Sequence, residues 1–506
     1  SINLALGENF TSYATESRWR SVGVFARINY SYDNKYLIEL NGRYDGSSKF
    51  PTNQQWGFFP SVSAAWRVSG ERWWNVNPNI LSSLKIRGSW GELGNANVGV
   101  YSFIETFNID NLSYVIDGVS KPRITSIPSQ IPDGLTWETS RTIDGGIDVG
   151  FYNGKINLTA DYYVRNTLDM YTVGPTLPDT YGASAPKGNY ADLVTRGFEL
   201  SLSYDDSFKL GAHNLNVGFK ATLADNRSFI TRYNNPTKSL GDYYVGQEIG
   251  EIWGYEFGGI FNSQELIDNF YGPGVPYVNR LFQINDGYTT RVGDVIIKDF
   301  NHNGLIDKGA NTVDDPGDQK IIGNKSPRYR YSFSLNFEWN GIYASAMFQG
   351  IGKQDWYPSG ESIIWGQYHR PYGNALAWTV RNAWSEDNPN SYLPKYSGYY
   401  RIFFSGVNRV DRYVMNAAYL RLQNLQVGYN LPKKVVKKIG LSGLGIYFSG
   451  ENLFTWSPIY RLTTDVDIVT ATQGSDQDLG NGKDNFGDGN NQTSFRTFSI
   501  GLTIKI

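Results

Sequence analysis

The sequence contains no cysteine, so disulfides, thiolate metal sites and a cysteine nucleophile are excluded. Its three histidines, His213, His302 and His369, are widely separated, and we expect no histidine-based metal or acid–base site. Runs of about 18 consecutive apolar residues, the length that a transmembrane helix needs, are also missing. The formal net charge is only −2, and the composition therefore gives no case for a nucleic-acid partner.

Sequence motifs of common catalytic machinery are absent as well. There is no GxSxG nucleophile elbow, no HExxH zinc motif and no Walker A loop. Asp and Glu are abundant, but a sequence cannot pair two of them into a glycosidase site. We therefore predict no catalytic residue and no enzymatic activity.

Strand-like segments in which apolar and polar residues alternate recur from one end of the chain to the other. In residues 328–339, for example, Phe333, Leu335 and Phe337 share one face, and polar residues occupy the other. The Asn340-Gly341 pair that follows predicts a type I′ hairpin turn, because both central positions of that turn need positive φ. The pattern predicts thirteen strands: 22–32, 36–44, 57–68, 84–91, 140–151, 155–167, 196–205, 214–224, 328–339, 342–350, 417–431, 443–452 and 495–506.

The connections between these strands alternate in length. Short connections are expected at 33–35, 69–83, 152–154, 206–213, 340–341 and 432–442, and long ones at 45–56, 92–139, 168–195, 225–327, 351–416 and 453–494. Short periplasmic turns and long extracellular loops are typical of outer-membrane barrels. The sequence therefore predicts an all-β fold, a transmembrane antiparallel β-barrel whose apolar faces meet outer-membrane lipid and whose polar faces line a lumen.

Orientation follows from the last strand, because outer-membrane barrels normally end on the periplasmic side. Counting back places the turns at 153–154, 340–341 and 432–442 in the periplasm, and the loops 225–327, 351–416 and 453–494 outside the cell. Bacterial single-chain barrels have an even number of strands, so thirteen cannot close one. We therefore expect residues 1–506 to be the C-terminal portion of a larger barrel.

Long runs of the sequence closely resemble the SusC/RagA-like TonB-dependent outer-membrane transporters. The resemblance spans essentially the whole chain, in order. The runs that carry it include SVGVFARINYSYDNKYLIELNGRYDGSSKF (21–50), WETSRTIDGGIDVGFYNGKINLTADYYVRNTLDM (137–170), VGQEIGEIWGYEFGGIFNSQELID (245–268), IIGNKSPRYRYSFSLNF (321–337) and AAYLRLQNLQVGYNLPKKVVKKIGLSGLGIYFSGENLF (417–454).

The resemblance implies a barrel of about 22 strands, of which these thirteen are a part. It also implies import of oligosaccharides, or sometimes peptides, with a SusD-like surface lipoprotein as a lid and with energy delivered by TonB. The plug domain, the TonB box and the first strands of such a transporter are not in this sequence. The missing N-terminal plug and strands are therefore expected partners of this chain.

One local motif suggests a cation site in the loop 225–327. In DFNHNGLID, Asp299, Asn301, Asn303 and Asp307 occupy positions 1, 3, 5 and 9 of a calcium loop, with the Leu305 carbonyl at position 7. Position 12 is Ala310, so the usual bidentate carboxylate is absent, although Asp314, Asp315 or Asp318 could supply oxygens. Both Ca²⁺ binding and a metal-free turn rich in Asx residues remain open.

Aromatic residues are concentrated in the loop 351–416, and their rings could stack on sugars. The candidate substrate-binding residues are Trp356, Tyr357, Trp365, Tyr368, His369 and Tyr372. The alternative is that these rings pack the loop or meet the lid lipoprotein.

Two charged segments carry weaker hypotheses. The acidic loop 453–494 is a solvated surface loop or a second metal site, and the lysines of 432–442 contact lipid headgroups or water.

Two functions other than import stay open at this stage. The chain could be a secreted all-β carbohydrate-binding protein or glycosidase, for example a propeller, which would not place every long loop at one end of its strands. A barrel of this family used for adhesion or assembly is the other possibility. The upstream sequence distinguishes the latter from import, because uptake requires a TonB box.

Overall fold

The structure is a computed structural model. It describes residues 16–105, 121–125, 134–178, 185–271, 290–358, 375–396, 408–464, 466–472 and 493–506, together with positions 107, 109–111, 115, 118, 131, 180, 278–279, 362, 364–365 and 489 between them.

Thirteen strands form one large sheet, and each predicted strand corresponds to one of them. The strands are β1 Ser21–Tyr32, β2 Tyr36–Ser47, β3 Trp56–Trp66, β4 Ser83–Asn95, β7 Glu138–Phe151, β8 Ile156–Val173, β9 Lys187–Leu210, β10 His213–Arg232, β17 Arg328–Trp339, β18 Ile342–Lys353, β23 Tyr419–Asn430, β24 Gly443–Trp456 and β25 Thr497–Lys505. Their spatial order follows the chain, so each strand is hydrogen-bonded to the sheet strand that comes before or after it. The predicted all-β class is confirmed.

Several strands continue beyond their predicted ends. The largest extension is in β9, which runs over Lys187–Leu210 rather than 196–205, and β8 continues to Val173. In both cases the added residues keep strand geometry without an apolar row on one face. An alternation of apolar and polar side chains does not indicate such segments, whose contacts include polar ones such as the hydrogen bond from the Asn189 side chain to the Asp169 carbonyl at 2.6 Å.

The hairpin at Asn340-Gly341 has the geometry that its sequence predicts. Asn340 has a φ of 50° and Gly341 a φ of 84°, so both adopt left-handed backbone. The register that results places Phe333 opposite Phe348, with ring centroids 4.6 Å apart. Because side chains on one face alternate with those on the other, this single turn aligns the apolar rows of β17 and β18.

The predicted alternation of connection lengths is wrong at one place. The connection 48–55, expected to be long, is shorter than the connection 67–82, expected to be short. The predicted bounds, 45–56 and 69–83, already have this order of lengths, and in the structure the longer connection folds around Glu71. The Glu71 carboxylate accepts hydrogen bonds from the Tyr36 hydroxyl at 2.6 Å and from the indole of Trp66 at 3.0 Å.

The remaining elements are short and lie in the connections. They are the strands β5 Ile109–Asn111, β6 Arg123–Thr125, β11 Glu251–Gly254, β12 Phe257–Ile260, β13 Val278–Asn279, β14 Val295–Ile297, β15 Leu305–Ile306, β16 Lys320–Asn324, β19 Asp355–Trp356, β20 Ala383–Trp384, β21 Leu393–Lys395 and β22 Met415–Asn416, and the helices Gln264–Tyr271, Ala377–Asn382, Lys433–Val436 and Ile468–Ala471. Among the described residues, no helix is long and apolar enough to cross a membrane.

The chain divides into two compact units. The first comprises Ser1–Val149, Thr159–Phe198 and Arg227–Glu248, and one buried apolar cluster among its described residues consists of Phe50, Val98 and Leu135. The second comprises Gly150–Leu158, Glu199–Asn226 and Ile249–Ile506. Its main apolar core is larger and comes largely from the connections between strands, including Tyr255, Trp356, Trp365 and Tyr413.

Candidate functional site

The apolar rows of the large sheet are uncovered. On β25, alternate side chains Phe498, Ile500, Leu502 and Ile504 are all exposed, and 80% of the surface of Ile500 is accessible. Across the ladder, Phe448 pairs with Ile500. An exposed apolar surface of this extent is expected where the surrounding medium is lipid rather than water.

The opposite, polar face carries paired charges. In the first unit, one guanidinium nitrogen of Arg87 lies 2.6 Å from the Asp161 carboxylate. The Asp148 carboxylate lies 2.9 Å from the ammonium group of Lys85 and accepts a hydrogen bond from the Thr159 hydroxyl at 3.1 Å. These groups are the polar lining that the alternation of side chains predicts for the lumen face.

Three of the predicted substrate-binding aromatic residues are in the core of the second unit. Trp356 and Tyr357 are each 1% exposed and Trp365 is 0% exposed. The Trp365 indole N–H donates a hydrogen bond to the Pro358 carbonyl at 3.0 Å, and its ring meets Tyr413 edge to face with centroids 6.1 Å apart. Their position fits the alternative that they pack the loop, and a sugar could reach these rings only if the loop opened.

The other three candidates, Tyr368, His369 and Tyr372, lie outside the described residues. A role for any of the six in substrate binding therefore stays a prediction.

The predicted calcium loop is closed by its own backbone amides. The Asp299 carboxylate accepts hydrogen bonds from the amides of Asn303 at 3.2 Å and Gly304 at 2.8 Å. The Asn303 side chain accepts from the Leu305 amide at 2.7 Å, and the Asp307 carboxylate accepts from the Gly309 amide at 2.8 Å. These are the contacts of successive Asx turns.

Asp318, outside the nine-residue motif, holds the two ends of this loop together. Its carboxylate is fully buried and accepts hydrogen bonds from the amides of Phe300 at 2.7 Å and Asp307 at 2.9 Å. Burial raises the pKa of Asp318, although these amides act in the opposite direction. Within the described part of the chain, no three Asp, Glu or His side chains converge as a metal site. Calcium binding by Asp299, Asn301, Asn303, Leu305 and Asp307 stays a prediction.

A buried ion pair anchors the acidic connection between β24 and β25. The Arg421 guanidinium on β23 pairs with the Asp467 carboxylate and donates further hydrogen bonds to the hydroxyls of Thr455 at 2.8 Å and Ser494 at 3.0 Å. Burial alone would raise the pKa of Asp467, but hydrogen bonds from Ser494 and the charge of Arg421 outweigh it and lower that pKa. These groups border a cavity of about 340 Å³.

In the sequence, the loop 453–494 stands out only as acidic, and Asp467 is not singled out. Asp467 and Arg421 are 46 positions apart, and no local motif links them. The other acidic residues of the loop 453–494, for which the sequence left a second metal site open, are Asp465, Asp476, Asp478, Asp484 and Asp488, and they lie outside the described residues.

A third charged cluster lies on the surface of the second unit. The Glu256 carboxylate pairs with the ammonium groups of Lys298 and Lys320. Hydrogen bonds from these two lysines lower the pKa of Glu256 to about 2. The cluster joins Lys298, directly after β14, to Lys320 at the start of β16, and it therefore connects the two sides of the loop that Asp318 closes.

Comparison with known proteins gives a consistent result. Residues 2–228 match the family described as TonB dependent receptor-like, beta-barrel. TonB-dependent receptor P3 of Formosa agariphila is 29% identical over 98% of this chain and 46% of its own length, and TonB-dependent receptor SusC of Bacteroides thetaiotaomicron is 24% identical over 98% and 44%. The chain thus spans about half the length of the curated relatives that it matches.

Solved structures agree on the fold. The structure of the RagAB peptide transporter is similar with a TM-score of 0.66 and 23% identity, covering 90% of this chain and 46% of that chain. The closed-closed state of the RagAB peptide importer gives a TM-score of 0.67 at 21% identity, covering 96% and 48%.

A single antiparallel sheet of thirteen strands with uncovered apolar rows defines a section of an outer-membrane β-barrel. More specifically, residues 2–228 match the β-barrel of the TonB-dependent receptors, and the chain as a whole is similar to TonB-dependent receptors that include SusC. Its location is the outer membrane.

Proposed function

We propose that this chain is a wall-and-loop section of a SusC-like importer that takes up oligosaccharides or peptides across the outer membrane. The observation that carries the proposal is the contrast between uncovered apolar rows on the strands and a folded, water-excluding core in the long connections. A passive membrane anchor needs only the first of these features. A receptor that selects large nutrients also needs structured loops to present a binding surface.

The charged lining of the polar face supports a solvated interior. Arg87, Lys85, Asp148 and Asp161 form a network that would be strongly unfavourable against hydrocarbon. On a face that lines water or another polar protein surface, the same network is stable. A transport pathway along this face is consistent with that chemistry.

The partners follow from the family. We expect a SusD-like surface lipoprotein as a lid over the extracellular loops, and TonB as the energy source acting through the N-terminal plug and TonB box of the complete protein. The chain itself would have no catalytic role. Its large single sheet also disfavours the propeller hypothesis, because propellers are built from separate blades of about four strands.

The test is a nutrient-uptake experiment on the complete protein. A strain that lacks the gene is complemented with wild type or with a variant that lacks only the TonB box, and outer-membrane levels of both are matched. We expect wild type to restore growth on one class of oligosaccharide or peptide and the variant to fail. Equal growth with the variant would contradict import driven by TonB.

The same strains test the adhesion or assembly alternative. If the strain that lacks the gene keeps every uptake phenotype and instead loses surface attachment, the import proposal is wrong. Substrate class is decided by whether labelled oligosaccharides or labelled peptides accumulate in the complemented strain.

A further inference from the structure

The connection between β23 and β24 is a compact helical turn rich in lysine. It comprises the helix Lys433–Val436 followed by the 3-10 turn Lys437–Ile439, and it ends at Gly440, whose φ of 78° only glycine adopts readily. Val436 is buried and its carbonyl accepts a hydrogen bond from the Leu441 amide at 3.3 Å. The turn is therefore held in one conformation against the strands.

Four lysine side chains project from this turn without a counter-charge. Lys433, Lys434, Lys437 and Lys438 are all exposed, and no described carboxylate lies within ion-pair distance of any of them. Lysines three to four positions apart share one side of a helical turn, so the four charges are close together. Such clustering is unfavourable in isolation and becomes favourable when an anionic partner is present.

The same turn exposes two apolar side chains, Val435 and Ile439. They are four positions apart and lie next to each other beside the lysines. At the end of the adjoining strands, Tyr429 of β23 pairs with Ile446 of β24, and both side chains are exposed members of the lipid-facing rows. The turn thus continues the membrane-facing surface at the depth where hydrocarbon gives way to headgroups.

We propose that this turn, which we call the lysine turn (residues 432–440), binds the headgroups of anionic phospholipids while Val435 and Ile439 enter the acyl boundary. Lysine stems can lie along apolar surface while their ammonium groups reach phosphates. Clustered lysines next to a membrane-spanning segment are attracted to anionic lipid, at roughly fivefold in affinity per lysine. Phosphate without an acyl chain would satisfy the charges but not the two apolar side chains.

The experiment measures lipid binding by native mass spectrometry of the complete protein in detergent. Phosphatidylglycerol is compared with phosphatidylcholine for wild type and for the variant K433Q/K434Q/K437Q/K438Q. A control variant, K121Q/K187Q/K220Q/K353Q, removes four exposed lysines elsewhere and matches the change in net charge. Heat-dependent mobility in gel electrophoresis confirms that each variant is folded.

Wild type and the control are expected to bind phosphatidylglycerol at least tenfold more tightly than phosphatidylcholine, and the lysine-turn variant is expected to lose this preference. Replacing the four lysines by arginine should retain it. The double variant Val435→Ser with Ile439→Ser should bind both lipids more weakly, and the ratio of its two affinities should stay as in wild type. The proposal is overturned if the glutamine variant keeps the preference, if the control loses it equally, or if inorganic phosphate or lipid A displaces phosphatidylglycerol completely at equal concentration.

Discussion

Strands β24 and β25 expose a row of apolar side chains, whereas the connections of the same unit contain a buried apolar core. Ile500 and Phe498 lie open on the sheet, and Trp356 and Trp365 are enclosed. Both sets are large and apolar, so residue type does not explain the difference. The medium does: the connections fold in water and must hide apolar surface, and the strand rows are surrounded by hydrocarbon.

The comparison also explains how the two regions are stabilised. The sheet is held by backbone hydrogen bonds in a continuous ladder, because every backbone N–H and C=O in hydrocarbon must be paired within the protein. The connections are held by side-chain packing and by buried polar contacts such as Arg421 with Asp467. Substitutions should therefore have different consequences in the two regions.

The largest effect is expected in the core of the connections. Trp365→Ala removes a fully buried ring and leaves a cavity, so we expect local stability to fall by about 3–5 kcal/mol. Hydrogen exchange of the connections 354–418 and 457–496 measures it. Val380→Ala, an exposed position in the helix Ala377–Asn382, is the control and should change stability by less than about 0.5 kcal/mol. Equal protection from hydrogen exchange in the two variants would contradict a stabilising role for Trp365 in the buried core.

A charge on the lipid-facing row should come next. Ile500→Arg is expected to destabilise the protein folded in lipid vesicles by about 2–4 kcal/mol, because arginine near the bilayer midplane is costly. The matched control, Ser499→Arg, points to the opposite face and should be close to neutral. Denaturant unfolding in vesicles compares them, and equal stability of the two variants would mean that Ile500 does not face lipid.

A smaller effect is expected at the hairpin between β17 and β18. A Cβ at Gly341 would lie 2.4 Å from the Asn430 carbonyl oxygen, and its φ is 84°, so Gly341→Ala should cost about 1–3 kcal/mol. Gly145→Ala, where nothing lies within 4 Å of the added Cβ, is the control and should cost less. The denaturant midpoints of unfolding compare Gly341→Ala with Gly145→Ala. Equal midpoints would contradict a steric clash at Gly341.

The smallest effect is an acid sensitivity of the loop held by Glu256. Its pKa is about 2 in the folded protein, below the ordinary value of 4.5, so its pairing stabilises the loop above about pH 4.5 and the benefit is lost as pH falls towards 2. Limited proteolysis between pH 7 and pH 3 should show an acid-induced opening that Glu256→Gln reduces. Glu265→Gln, at an exposed carboxylate, should leave the pH profile as in wild type, and an identical profile in all three would contradict the role of the pair.

The sheet was predictable because its signals are local. Alternating side chains indicate a strand, and Asn340-Gly341 indicates its turn, so neither depends on residues far along the chain. The connection 67–82 was classed as short although its predicted bounds, 69–83, were already wider than 45–56, and no alternation reveals the contacts of Glu71 that fold it.

The sites in the connections were less predictable. The same residue types stack on sugars and pack apolar cores. The sequence therefore could not show that Trp356 and Trp365 are buried. Asp318 and Arg421 act through partners that are distant in the chain, and their roles emerge only once the connections are folded.

Spin labels placed one at a time along residues 498–504 of β25, in the complete protein reconstituted in lipid, test the central claim most directly. Molecular oxygen, which concentrates in hydrocarbon, should relax the labels at 498, 500, 502 and 504, and a water-soluble nickel complex should relax those at 499, 501 and 503. The predicted result is that accessibility alternates at every second residue, with the even-numbered positions facing lipid. The reverse phase, or similar accessibility at every position, would contradict a strand that separates lipid from a polar interior.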